Sequence, residues 1–125
     1  MPENVREALG RTIFKTRNNT GLTFNIALNY GGRAELVRAV NLLIGEGKGQ
    51  VSEADLAAAL YTAHSPDPDL VIRTGGDYRI FNFLLWQSAY AEYYFTNILW
   101  PDFSKKDLEK AVMTFSERNR RFGGV

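Results

Sequence analysis

At 125 residues the chain makes one domain or a piece of one, and its balance of 45% hydrophobic, 13% aromatic and 23% charged residues is ordinary for a globular protein. A formal charge of +1 argues against strong non-specific nucleic-acid binding. With no cysteine and only one histidine, His64, the chain excludes disulfides, thiolate metal sites and multi-histidine centres, so a bound metal is expected on oxygen ligands, as magnesium or a similar hard cation.

The missing cysteines also fit a reducing compartment. No run is long and apolar enough to cross a bilayer, and the first ten residues do not read as a secretory signal.

Pro2 to about Arg17 reads as a helix, because Val5, Ala8, Leu9 and Ile13 recur at helical spacing. Asn18 to Gly21 ends it. Leu22, Phe24, Ile26 and Leu28 then alternate with Thr23, Asn25, Ala27 and Asn29, which predicts a strand. Leu36, Val37, Val40, Leu43 and Ile44 mark a second helix, closed by Gly45-Glu46-Gly47. Ser52 opens a third, with Asp55 placed to complete a capping box, and it is expected to end near His64 to Pro68. The two prolines there favour an extended entry into Leu70-Val71-Ile72. Three apolar residues in a row suit a strand covered on both faces, as in parallel sheets. A short helix is expected around Asn82 to Ser88, and Ala91 to Phe95 reads as a third strand. Leu99 to Phe103 turns the chain. Ser104 caps a last helix with Leu108, Ala111, Val112 and Phe115 on one face.

This alternation predicts an α/β layer structure, a parallel β-sheet flanked by helices, with about three strands. Three strands are few for this class, and a bare edge invites pairing with another chain. The chain therefore reads as half of a larger domain or as a module that must dimerise.

The stretch Asp69 to Glu92 carries the chemistry. A buried strand delivers Arg73 into Thr74-Gly75-Gly76, and Arg79 follows. Arginine presents a planar fork of donors that fits phosphate, and glycine lets backbone amides approach a ligand. In open parallel sheets, ligands collect beyond the carboxyl ends of strands. Asn29 and Arg33 flank a second strand-to-helix turn, where helix N-terminal amides favour anions. Plainer roles compete at each position. Arg79 alone is more often a solvated charge, Asn29 and Arg33 fit an ordinary turn, Glu92 fits an edge carboxylate, and Asp77 and Asp102 fit turns. Trp86, Trp100 and Tyr93-Tyr94-Phe95 fit core or interface.

Several motifs in order make the chain resemble the C-terminal half of the cis-prenyltransferases, the undecaprenyl diphosphate synthase family. They are Asn29-Tyr30-Gly31-Gly32-Arg33; Asp69 to Gly76; Asn82 to Gln87; Tyr90-Ala91-Glu92; Leu99 to Phe103; and Arg121-Phe122-Gly123. The matches run from about Leu22 to the end. The resemblance implies a cytoplasmic, magnesium-dependent transferase that extends an allylic prenyl diphosphate with isopentenyl diphosphate units. It implies a six-stranded parallel sheet and a homodimer. It gives Arg73, Arg79, Arg121 and Gly123 to isopentenyl diphosphate, with Asn29, Arg33, Gly75 and Gly76 in support, and ties Glu92 to the metal at a subunit interface. Membrane contact is at most peripheral, through product.

Two departures stand out. The family segment Met-Asp-Gly-Asn-Gly-Arg, whose aspartate anchors magnesium and the allylic diphosphate, does not occur in this chain. Little or no prenyl transfer is therefore expected from the chain alone. In addition, Phe81 stands where the family usually has serine, so a hydroxyl donor to phosphate is lost, a bond worth roughly 1.5–3 kcal/mol. A second expectation is a non-catalytic interaction or regulatory subunit that completes a prenyltransferase partner, including a separate N-terminal half. Nucleic-acid binding through Arg118 to Arg121 is the weakest reading, given the near-zero net charge.

Overall fold

The computed structural model describes residues 1–118. The expectations for Arg121 and Gly123 lie outside the described residues. In chain order the elements are α1 (Glu3–Thr16), α2 (Gly32–Gly45), α3 (Glu53–Ala59), β1 (Leu70–Arg73), β2 (Glu92–Phe95), a 3-10 turn (Trp100–Asp102) and α4 (Lys105–Ser116). β1 and β2 pair in parallel, Leu70 opposite Glu92 and Arg73 opposite Phe95. The α/β class and the parallel pairing are as expected. The strand count is not, because the described residues hold a two-stranded sheet.

The stretch 22–28 forms no ladder. Its apolar side chains are exposed, Leu22 at 92% and Phe24 at 79%. The alternation is present, but a strand is defined by a partner, and none of the described residues supplies one to this stretch.

Residues 82–88 are also not a helix. Phe81, Asn82 and Leu84 have φ of 56°, 60° and 46°, left-handed values that interrupt α-helical hydrogen bonding. The 74–91 connection is instead a chain of turns, tied locally by bonds such as Ser88 N–H to Leu84 O at 2.9 Å. Parallel strands are usually joined by a helix, and long connections without one are uncommon and usually functional.

Helix α3 stops at Ala59, earlier than expected, and the chain runs through turns to Ser65. Its start follows the sequence: Ser52 Oγ accepts from Asp55 N–H, and the Asp55 carboxylate accepts from Ser52 N–H. Ser104 and Asp107 repeat the device at α4.

Helix α2 buries Gly32, Glu35, Ala39 and Leu43, while Val37 and Ile44 are exposed. The inward stripe lies against α3 and the 82–87 turns, so a carboxylate occupies a place the apolar pattern did not mark. Gly32 is required there. A Cβ would lie 2.8 Å from Leu85 Cγ and 3.3 Å from Asn82 O.

Among the described residues the buried apolar side chains are Ala39, Leu43, Leu60 and Ala111. Helix α1 buries none of its residues. A folded chain of 14.1 kDa exposes about 6,700 Å². This one exposes 10196 Å², a surface that includes much of its apolar content.

Candidate functional site: an arginine pair at the end of a parallel strand

Arg73 ends β1, and Thr74-Gly75-Gly76 turns the chain back toward β2. Gly75 and Gly76 have φ of 87° and 81°, which glycine adopts without strain. Their amides are already used, Gly75 N–H to Ile98 O at 2.9 Å and Gly76 N–H to Thr96 O at 3.0 Å. The two glycines therefore build the turn that extends the β1–β2 pairing. In this conformation they offer no free amide to an anion.

The turn brings Arg79 back beside Arg73. Both guanidiniums reach one oxygen, Asp77 Oδ2, with Nη2 atoms at 3.1 Å from Arg73 and 3.5 Å from Arg79. Both also sit over the Phe81 ring, with Cζ to centroid distances of 5.1 and 4.9 Å. The two arginines share a cavity of about 270 Å³ with Val71, Ile72, Ile80, Phe83 and Tyr93. Arg73 Nε is buried and has no hydrogen-bond partner. A buried cationic donor without an acceptor is costly. Asp77, expected to be a turn residue, instead pairs with both arginines: Arg73 Nη2 donates a hydrogen bond to its Oδ2, and Arg79 Nη2 approaches the same oxygen.

The second expected turn is arranged differently. Asn29 has φ of 52° and lines a separate, larger cavity of about 510 Å³ with Ile26, Leu28, Tyr61 and Gln87. The first amides of α2 are capped from the 74–91 connection: Gly32 N–H donates to Asn82 O at 2.8 Å and Arg33 N–H to Asn82 Oδ1 at 3.0 Å. Asn82 thus takes donors that an anion would need. The Arg33 side chain is exposed. Asn29 and Arg33 are not brought into the arginine cavity.

Sequence reasoning passed over Glu35, the junction beneath both motifs. It is 2% exposed. Its Oε2 accepts from the Tyr30 hydroxyl and from Gln87 Nε2 at 3.1 Å, and its Oε1 accepts from Tyr61 N–H at 2.8 Å. Gln87 Nε2 also donates to Thr62 Oγ1 at 2.9 Å. Burial first, and then the hydrogen bond and charge of Glu35, push the Tyr30 hydroxyl up to about 12. The 82–87 turns are therefore fastened to α2 at both ends, by Asn82 and by Gln87. Between them lies Phe83, which lines the arginine cavity. The one available signal was an acid three residues after Gly32 and four before Ala39, on the buried stripe.

Glu92 lies at the other end of the ladder. Three residues separate its register from that of Arg73, about 10 Å along a strand. Its carboxylate accepts from Arg118 Nη1 at 2.9 Å, and the same nitrogen bonds Tyr93 O at 2.8 Å. Among the described residues no cluster of three or more histidine, cysteine or acidic side chains stands ready for a metal. Among the described residues, too, no helix is long and apolar enough to cross a membrane.

The family model described as "Putative undecaprenyl diphosphate synthase" matches residues 1–123. The chain belongs to the undecaprenyl diphosphate synthase family. Within the family, an isoprenyl transferase from Fusobacterium nucleatum is 51% identical over all of this chain and 54% of its own length. One from Neisseria meningitidis serogroup A is 54% identical over 94% of this chain and 51% of its own. The chain spans about half the length of the curated family members it matches. The crystal structure of lavandulyl diphosphate synthase from Lavandula x intermedia, in complex with dimethylallyl diphosphate, has 34% identity and a TM-score of 0.91, over 99% of this chain and 56% of its own.

Proposed function

We propose that this chain is the isopentenyl-diphosphate-binding half of a cis-prenyltransferase that elongates allylic prenyl diphosphates. The observation that carries the reading is the convergence of Arg73 and Arg79 on one carboxylate oxygen beside a cavity that both residues line. A diphosphate offers several such oxygens, and it binds best to forks that are already aligned. In a complete site the reaction would ionise the allylic diphosphate, join its cation to the alkene and release a proton. This chain's arginines would hold the acceptor's diphosphate in place while that occurs.

Magnesium is bound through one or two carboxylates together with substrate phosphates. Glu92 fits as a single such ligand if it exchanges Arg118 for the cation. Its distance from Arg73 favours a cation shared with a diphosphate held by another chain, as in a homodimer. Bound magnesium would supply charge neutralisation for the departing diphosphate. The aspartate of Met-Asp-Gly-Asn-Gly-Arg is supplied by no residue of this chain, so we expect little or no transfer by the chain alone.

The exposed apolar side chains of α1 and of 22–28 favour a second reading in the same frame, a module that docks on a prenyltransferase partner. Incorporation of labelled isopentenyl diphosphate separates the two. The chain is assayed alone and with the N-terminal half of the Fusobacterium relative. Transfer only in the mixture supports the substrate-binding half. Association without transfer supports the docking module, and full transfer by the chain alone contradicts both.

A further inference from the structure

We propose that Phe81 is a positioning residue of the arginine site, whose ring sets the Arg73 and Arg79 guanidiniums side by side with their N–H edges turned to one anion. The inference rests on reading that pair as a diphosphate grip.

The ring does not serve as core, since Phe81 is 62% exposed. Its backbone sits at φ 56°, a region that bulky side chains occupy only at an energetic cost. Such a residue persists where something else depends on it. What depends on it here are the two cations, with Cζ atoms 5.1 and 4.9 Å from the ring centroid, both inside the range of cation–π attraction.

The contact is made by the guanidinium carbons over the ring and leaves the Nη2 donors of both arginines free of it. Those donors bind phosphate. The consequence is visible in the present structure, where both Nη2 atoms point to the same Asp77 oxygen. Arg79 is otherwise poorly restrained, its side chain 63% exposed. Without the ring, binding would have to immobilise it. Ordering one long side chain corresponds to an affinity loss of about two- to tenfold.

The test is a titration of the 15N-labelled 125-residue protein with inorganic pyrophosphate, following the Nε–Hε resonances of Arg73 and Arg79. Three variants are compared. Phe81→Tyr keeps the π-face and is expected to bind as the wild type does. Phe81→Leu keeps apolar bulk but loses the face, and is expected to bind about two- to tenfold more weakly. Both arginine resonances should also shift in its free state as the ring current disappears. Phe81→Gly relieves the backbone, so it should raise the urea midpoint while weakening binding by a similar factor. A merely structural role would not separate stability from affinity in that way. Wild-type affinity in Phe81→Leu and Phe81→Gly overturns the role given to Phe81 and leaves the arginine site standing. Failure of pyrophosphate to move either arginine in the wild type overturns both.

Discussion

Replacing Glu35 with alanine should be among the most damaging single changes in this chain. The carboxylate is 2% exposed and takes three hydrogen bonds, from the Tyr30 hydroxyl, Gln87 Nε2 and Tyr61 N–H. Bonds to a charged group are worth about 1.5–3 kcal/mol each. The three do not simply add. Gln87 keeps its bond to Thr62, and Tyr61 is 54% exposed, so water can reach its neighbourhood. A net loss of about 3–4 kcal/mol is expected, including the space left on the buried stripe of α2. With a urea slope of about 1–3 kcal/mol per molar, the midpoint falls by about 2 M. Trp86, within the fastened turns, makes intrinsic fluorescence a suitable probe. Glu35→Gln should cost about 1–2 kcal/mol, since one donor must then face an NH₂ group. In a double-mutant cycle, Glu35→Ala and Tyr30→Phe should couple by at least about 1 kcal/mol. A loss below about 1 kcal/mol for Glu35→Ala, with no coupling, would show that the donors find water freely and that Glu35 fastens nothing.

Four further outcomes follow from the same contacts. The raised Tyr30 value means that its protonated form is favoured in the folded state; the associated stability is full below pH 10 and is lost as pH rises toward 12, and Tyr30→Phe should remove that part of the alkaline decline in urea midpoints. Asp55 is held down at about 2, first by the Lys48 hydrogen bond and then by Ser52, so its contribution is present above pH 3.8 and lost as pH falls toward 2; Asp55→Asn should flatten that acid limb. Gly32→Ala should cost about 1–3 kcal/mol by thermal unfolding, because the added methyl displaces Leu85 and the Asn82 carbonyl. Asn82→Ala should cost about 0.5–2 kcal/mol, by loss of the bond to Arg33 N–H, and should increase exchange of the Gly32 and Arg33 amides.

Much of this architecture is legible in the sequence where a local rule suffices. Ser52 with Asp55 and Ser104 with Asp107 mark helix starts through their own side chains. Leu70-Val71-Ile72 is legible as a strand, but not as one covered on both faces: every residue of β1 is only half-buried. The departures come where a partner decides. Leu22 to Leu28 alternates as a strand should, yet alternation cannot provide a neighbour. Asn82 to Ser88 has helical composition, but its first residues are used to cap α2 and adopt left-handed backbone to do so. Val37 and Ile44 look like core on apolar grounds, while the buried stripe passes through Glu35 instead. The site shows the same division. Arg73 and Arg79 stand out from residue type and position. Asp77 and Phe81, which align them, depend on how the turn closes. The expectation that Gly75, Gly76 and the start of α2 would present free amides fails because other parts of the chain already bond to them.

The grip of the arginine pair on a diphosphate is measured most directly by calorimetric titration with isopentenyl diphosphate. Wild type, Arg73→Ala and Arg79→Ala are compared at low and moderate salt, each in the presence of the complementing N-terminal half. Saturable binding by the wild type that weakens at least tenfold in either variant, and that declines with added salt, is the predicted result. Equal affinity in all three proteins would contradict the claim that these two guanidiniums hold the diphosphate.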